Sequence, residues 1–212
     1  MMATTHGLVG LAFAAGVAAT TRDPAPVVLW TGLLGGVLPD LDLYWGHRKT
    51  LHFPVYYTAT AALAGGLWTA TAATGIETLS ASTALLALAV LLGAAAVHSV
   101  MDAFGGGLEL RPWEGTSDRA VYSHFHGRWL PPKRWIRYDG APEDLGLAAV
   151  AAAPALLATT GVVRHAALLA LCVSAGYVLV RKPMVRVTEW VVARTPDRVL
   201  GYVPERFVAD LR

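Results

Sequence analysis

Six apolar stretches, at about residues 7–20, 27–38, 53–73, 84–104, 145–163 and 166–180, constrain this chain more than any other feature. A backbone passing through hydrocarbon must satisfy its own N–H and C=O groups, which within a single segment only a helix does. The last four stretches approach the roughly 20 residues that cross a bilayer, and the first two are shorter, so they are expected to tilt or to form a re-entrant hairpin. The chain is therefore predicted to be all-α, a multi-span integral membrane helical bundle of about six apolar segments. Composition agrees: 55% of the 212 residues are hydrophobic, 15% are charged and mean hydropathy is +0.47, which excludes an ordinary soluble domain. Small residues crowd the segments (GVAAT, GLLGG, AALAGG, LLGAAA), as close backbone packing between membrane helices requires.

Four regions follow from this pattern: 1–108 with four apolar segments, a connector at 109–144, two further membrane helices in 145–182, and an amphipathic tail at 183–212 read as an interfacial helix. The connector interleaves Trp113, Tyr122, Phe125, Trp129, Trp135 and Tyr138 with Arg128, Lys133, Arg134 and Arg137, which suits an anionic bilayer surface. A net charge of only +2 argues against a nucleic-acid partner. Cys172, the single cysteine, has no internal disulfide partner and reads as a small buried hydrophobe. No basic residue precedes the first apolar stretch, so no cleaved signal peptide is expected and His6 stays with the chain.

Following the chain through six crossings leaves Arg22 and Arg164 on one side and the remainder of the 17 Lys and Arg residues on the other. The positive-inside rule then makes the basic side cytoplasmic, with both termini on it, in a cell-membrane protein. The same map gathers the ionisable residues of the apolar segments at that face. His6 opens segment one, Asp40 and Asp42 close segment two, His52 opens segment three, and His98 with Asp102 close segment four.

Residues 36–52, GVLPDLDLYWGHRKTLH, carry the densest chemistry. Asp40 and Asp42 flank Leu41, so in an extended or turning backbone both carboxylates point the same way. His98 and Asp102, at i,i+4, share a helix face, and Gly105 to Gly107 stop that helix. His6, Asp40, Asp42, His52, His98 and Asp102 are thus candidate metal ligands, offering the oxygen and nitrogen donors that zinc or manganese takes. Three carboxylates at helix C-termini face an unfavourable dipole and call for a cation, either a divalent metal or Arg48 and Lys49. His47 suits a ligand, a general base or a solvated loop residue, and Arg48 suits a substrate anion or a structural aspartate. His124 and His126, spaced as in a strand, read as interfacial before they read as ligands, and His165 belongs to the opposite side.

The order His6, PDLD, HRKTLH and HSVMD resembles the membrane-bound metal-dependent hydrolases, multi-span proteins of bacteria and archaea, over roughly residues 1–110. The pattern matches at Asp40, Asp42, His47, Arg48, His52, His98 and Asp102 and departs at Lys49 and Leu51. The resemblance implies a divalent-metal hydrolase; at the cytoplasmic face given by the cation partition, the residues then offer Asp42 or His47 as general base and Arg48, with Lys49, to stabilise developing anionic charge. A lipid or other membrane-associated ester or phosphoester is the expected substrate. Two other readings remain open on the residues alone: a proton- or metal-ion transporter or channel, and a non-catalytic scaffold stabilised by metal. A cluster at one end of the segments and not at the bilayer midplane favours the enzyme.

Overall fold

The computed structural model describes residues 1–21, 26–74, 79–203, 208 and 211; Arg22, Arg206 and Arg212 of the charge map lie outside them. Six long helices form the body: α1 (Ala3–Thr21), α2 (Pro26–Val37), α3 (Pro54–Thr74), α4 (Leu79–Met101), α5 (Pro142–Ala158) and α6 (Gly161–Arg194). Short 3₁₀ helices extend α2 over Leu38–Tyr44 and α4 over Asp102–Phe104. A two-stranded antiparallel hairpin, β1 (Val121–Ser123) and β2 (Arg128–Leu130), and a single turn, α7 (Asp197–Leu200), complete the described elements. The all-α expectation holds.

Six segments are expected; among the described residues, four helices are long and apolar enough to cross a membrane: Ala3–Thr21, Pro26–Tyr44, Ala81–Phe104 and Gly161–Arg194. The first two stretches, expected to be short, gain length because helix continues past each apolar core. The hydroxyls of Thr58, Thr60, Thr69 and Thr71 dilute α3, and α5 has only 17 residues, with Glu143 and Asp144 in its first turn. The fifth stretch stops at Ala158, and Val163, counted in it, belongs to the first turn of α6. The boundary expected between 182 and 183 is not a helix end: α6 runs through Pro183 for 34 residues, about 51 Å at 1.5 Å per residue, well beyond a hydrocarbon core of about 30 Å. The first part of the tail, to Arg194, is therefore a continuation of α6 and not a separate helix. Cys172 is exposed on α6, not buried, because that helix packs along one narrow side only.

α1 is the hub, packed on α2, α4, α5 and α6, while α3 packs on the outer side of α4. One core joins Leu8 and Leu11 of α1 to Ala148, Ala152 and Ala155 of α5 and Ala167 of α6; a second joins Ala14, Val28, Leu86 and Val90. The regions 1–108 and 145–182 thus share one packed body. Gly32 and Gly36 are four apart on α2, and a Cβ on either would collide with the backbone of α1, at Gly10 and His6 respectively. A Cβ on Gly35 would strike the Leu91 carbonyl of α4. The GLLGG run is therefore a wedge between α1 and α4, the use of small residues that lets helix backbones approach closely.

A candidate metal centre at the ends of four helices

The close approach of α2 to α1 and α4 decides what the helix ends bring together. α2 does not open into extended chain after Pro39; it tightens into a 3₁₀ helix. At three residues per turn, positions two apart lie about 240° around the axis, so Asp40 and Asp42 face different neighbours and not the same one. Asp40 turns to α4, where its Oδ1 is 3.4 Å from Nε2 of His98. Asp42, fully buried, turns to the following loop and accepts from the backbone N–H of Arg48 (3.2 Å) and Leu51 (3.0 Å), and from Nδ1 of His47 (3.2 Å) and His52 (3.0 Å). One carboxylate thereby folds the whole HRKTLH loop around itself.

The loop is also pinned from outside. Arg48 has φ 60°, a left-handed conformation that side chains disfavour, and its carbonyl accepts from the N–H of Tyr122 in β1 at 2.9 Å. His124 meets the Lys49 carbonyl at 2.7 Å through Nε2 and packs on Phe53, and Lys49 lies over the Tyr122 ring, away from the cluster. His126 pairs with Ser123, so neither connector histidine joins the site. Both occupy the hairpin turn and not a strand. Lys133, Arg134 and Ile136 donate backbone N–H groups to the carbonyls of Ala103, Gly105 and Phe104, closing the connector over the end of α4.

His98 and Asp102 keep the common face expected from their spacing. Four side chains, Asp40, His52, His98 and Asp102, offer ligand atoms that all lie within 4.8 Å of one another, and the last three are buried. Nε2 of His52 is 3.2 Å from Nε2 of His98 and 3.1 Å from Oδ2 of Asp102, and His98 Nε2 is 3.5 Å from that oxygen. Donors held tetrahedrally about a zinc ion at 2.0–2.1 Å stand about 3.3 Å apart, so these spacings fit.

The hydrogen bonds behind the two imidazoles make the case stronger. Nδ1 of His98 donates to the Gly36 carbonyl at 2.6 Å, and Nδ1 of His52 donates to Asp42. With both protons committed to Nδ1, both Nε2 lone pairs face one point, where only a proton or a metal cation relieves their repulsion. Outer partners of this kind fix the tautomer of metal-bound histidines. Burial drives His52 toward neutrality, but hydrogen bonds to Asp102 and Asp42 outweigh it and raise its pKa.

The other sequence candidates surround this group. His6 donates through Nε2 to Asp102 Oδ1 at 3.2 Å, stacks on His98 with ring centroids 3.7 Å apart, and keeps a buried Nδ1 with no partner. Arg48 lies 3.5 Å from Asp102 and donates to the Gly106 carbonyl at 2.7 Å, which assigns its charge to a structural aspartate. The amino group of Met1 is 3.3 Å from Asp102. A cavity of about 430 Å³ adjoins the cluster, with Asp40 and His47 on its wall together with Val37, Leu41, Leu43 and residues of α1 and α6. Asp40 thus links buried ligands to open space.

Two elements of the site carry no sequence signal that spacing rules detect, the Gly36 carbonyl and the hairpin clamp. The wedge glycines hint at the first, since only a close approach of α2 to α4 presents that carbonyl to His98. Among known proteins, no family model, curated sequence or solved structure matches this chain.

Proposed function

We propose that this chain is a membrane-embedded, metal-dependent hydrolase acting at the cytoplasmic membrane face on an ester or phosphoester. The observation that carries the reading is the meeting of four ligand atoms within 4.8 Å, one of them on the wall of a cavity large enough for a small-molecule group. The ion is zinc or manganese by donor type, held by Asp40, His52, His98 and Asp102, with His6 and Asp42 bonded directly behind them. When bound, such an ion polarises an ester or phosphoryl oxygen and lowers the pKa of a bound water. His47 is then the general base. Its ring is 29% exposed, and Asp42 holds Nδ1, which leaves Nε2 to take a proton while the carboxylate steadies the charge gained. Arg48 neutralises Asp102 and so keeps a third carboxylate tolerable in a buried site. The partition of cations supports a cytoplasmic placement, which labelling of single cysteines at Asp118 and Thr160, in a Cys172→Ser background, tests from each side of the membrane.

A structural metal is the second reading, favoured by the burial of His52, His98 and Asp102. Reconstituted protein separates the two. Hydrolysis of an ester or phosphoester that requires added metal and is lost in His47→Gln, with metal retained, supports the enzyme; metal bound stoichiometrically without turnover supports the scaffold. Metal-dependent ion flux in sealed vesicles, without hydrolysis, supports a transporter instead.

A further inference from the structure

The cavity beside Asp40 is walled mostly by apolar residues. α6 packs on α5 and α1, and α2 packs on α1 and α4, but α2 and its 3₁₀ extension do not pack closely on α6. A slot remains between them. Its floor is the start of α1 at Met1 to Thr4, one wall is Val37, Leu41 and Leu43, and the other is Val173 and Tyr177. Both walls belong to helices long and apolar enough to span a membrane. Leu41 and Leu43 are 60% and 55% exposed, and the next residues, Tyr44 and Trp45, are 59% and 73% exposed. An outward Tyr–Trp pair just beyond an apolar segment is the usual anchor at headgroup level. The slot thus lies on the hydrocarbon side of the anchor, and its polar end carries Asp40 and His47 together with Asp139, whose charge is taken up by Tyr177 and Arg181.

We infer that the slot admits a single-chain amphiphile sideways from the bilayer. The apolar chain lies between Leu43 and Val173, and the ester or phosphate head is delivered to Asp40 and His47. A soluble substrate would need no apolar approach, and a cavity of about 430 Å³ sits near the lower end of small-ligand pockets, room for one chain with its head. Leaving lipid for the slot gives the chain no hydrophobic gain, because lipid tails are equally apolar. Selection therefore resides in the head and in the width of the slot. The substrate assignment rests on the hydrolytic reading above; the seating of the amphiphile does not.

The test uses the full chain in phosphatidylcholine nanodiscs with a single-chain alkyl phosphate that carries a diazirine near its methyl end. After photolysis, adducts are mapped by mass spectrometry. Leu43 and Val173 should be labelled on the order of tenfold more than Leu169 and Leu179, which are 66% and 76% exposed elsewhere on α6. Val173→Trp and, independently, Leu43→Trp should abolish that excess by filling the slot. Equal labelling at all four positions, or an excess that survives both tryptophans, overturns the proposal. Phosphate release from the same probe is followed in parallel with added zinc or manganese. Seated probe without metal-dependent release leaves the slot standing and removes the hydrolytic reading. Release from short-chain phosphoesters with uniform labelling does the reverse.

Discussion

Two carboxylate clusters lie toward the same end of the bundle, and they are completed in opposite ways. Asp139, at the mouth of α5, receives Tyr177 Oη at 2.6 Å and the Arg181 guanidinium at 2.7 and 3.2 Å. It is closed by a permanent cation and a hydroxyl, so it ties α6 to the connector and asks for nothing more. The cluster of Asp40, Asp42 and Asp102 is closed by imidazoles, whose charge depends on a proton. Its other cations, the Arg48 guanidinium and the Met1 amino group, both pair with Asp102, which leaves Asp40 and Asp42 to the imidazoles, and two Nε2 atoms face each other at 3.2 Å. A fixed ion pair is a fastener, whereas aspartates joined to histidines of set tautomer leave a group of donors that a proton or a metal ion can fill.

That contrast is open to attack at several points, of which the histidines are the most severe. His98→Ala and His52→Ala each remove a donor from a four-atom group, and metal affinity by calorimetry should fall more than about 100-fold, beyond the loss expected for an outer partner. Unchanged affinity in both would reduce the cluster to a hydrogen-bond network. Asp42→Asn comes next: it leaves the four donors intact but withdraws the charge behind His52, and a loss of about 10- to 100-fold is expected in the same titration. Arg181→Met, in the comparison cluster, should lower thermal stability in detergent by about 1–3 kcal/mol while metal affinity stays within about twofold. A matching loss of metal would show that the two clusters are one system.

Acidity sharpens the distinction with a smaller effect. His52 has a raised folded pKa, so in metal-free protein its contribution to stability is fully present below the unfolded value and is lost as pH rises through the folded value. Metal needs the same nitrogen deprotonated. Apparent metal affinity should therefore climb by up to about tenfold per pH unit until His52 has titrated, with proton release on binding. The Asp139 cluster has no imidazole and should show no such slope. The smallest effect belongs to Arg137 and Glu143, 2.6 Å apart at the surface, where the guanidinium holds the carboxyl down to about 2. That contribution is present above the unfolded pKa and fades as pH falls, and solvent screens it; Glu143→Gln should leave the melting temperature and metal binding unchanged.

Much of this architecture was legible in the sequence, and the exceptions have physical reasons. Chain parity alone put His6, Asp40, Asp42, His52, His98 and Asp102 at one end, because an antiparallel helix returns every second terminus to the same face. The i,i+4 rule placed His98 beside Asp102. The rule for extended chain failed at Asp40 and Asp42, since Pro39 tolerates the start of a 3₁₀ helix as readily as a helix end. The boundary at 183 failed because a change from apolar to amphipathic composition does not end a helix, and on a helix packed along only one side the hydrogen bond that Pro183 cannot make disturbs few neighbours. The division of labour within the HRKTLH loop was hidden because it depends on backbone N–H groups and on a hairpin more than 70 residues away, at Tyr122 and His124.

The most direct test of the central claim is the metal content of the wild-type full chain, purified in detergent and equilibrated with micromolar zinc or manganese, read by elemental analysis beside His98→Ala. The account predicts close to one tightly held divalent ion per wild-type chain and almost none in the variant. A well-folded wild-type protein that retains no ion, or a variant that retains as much as wild type, would contradict it.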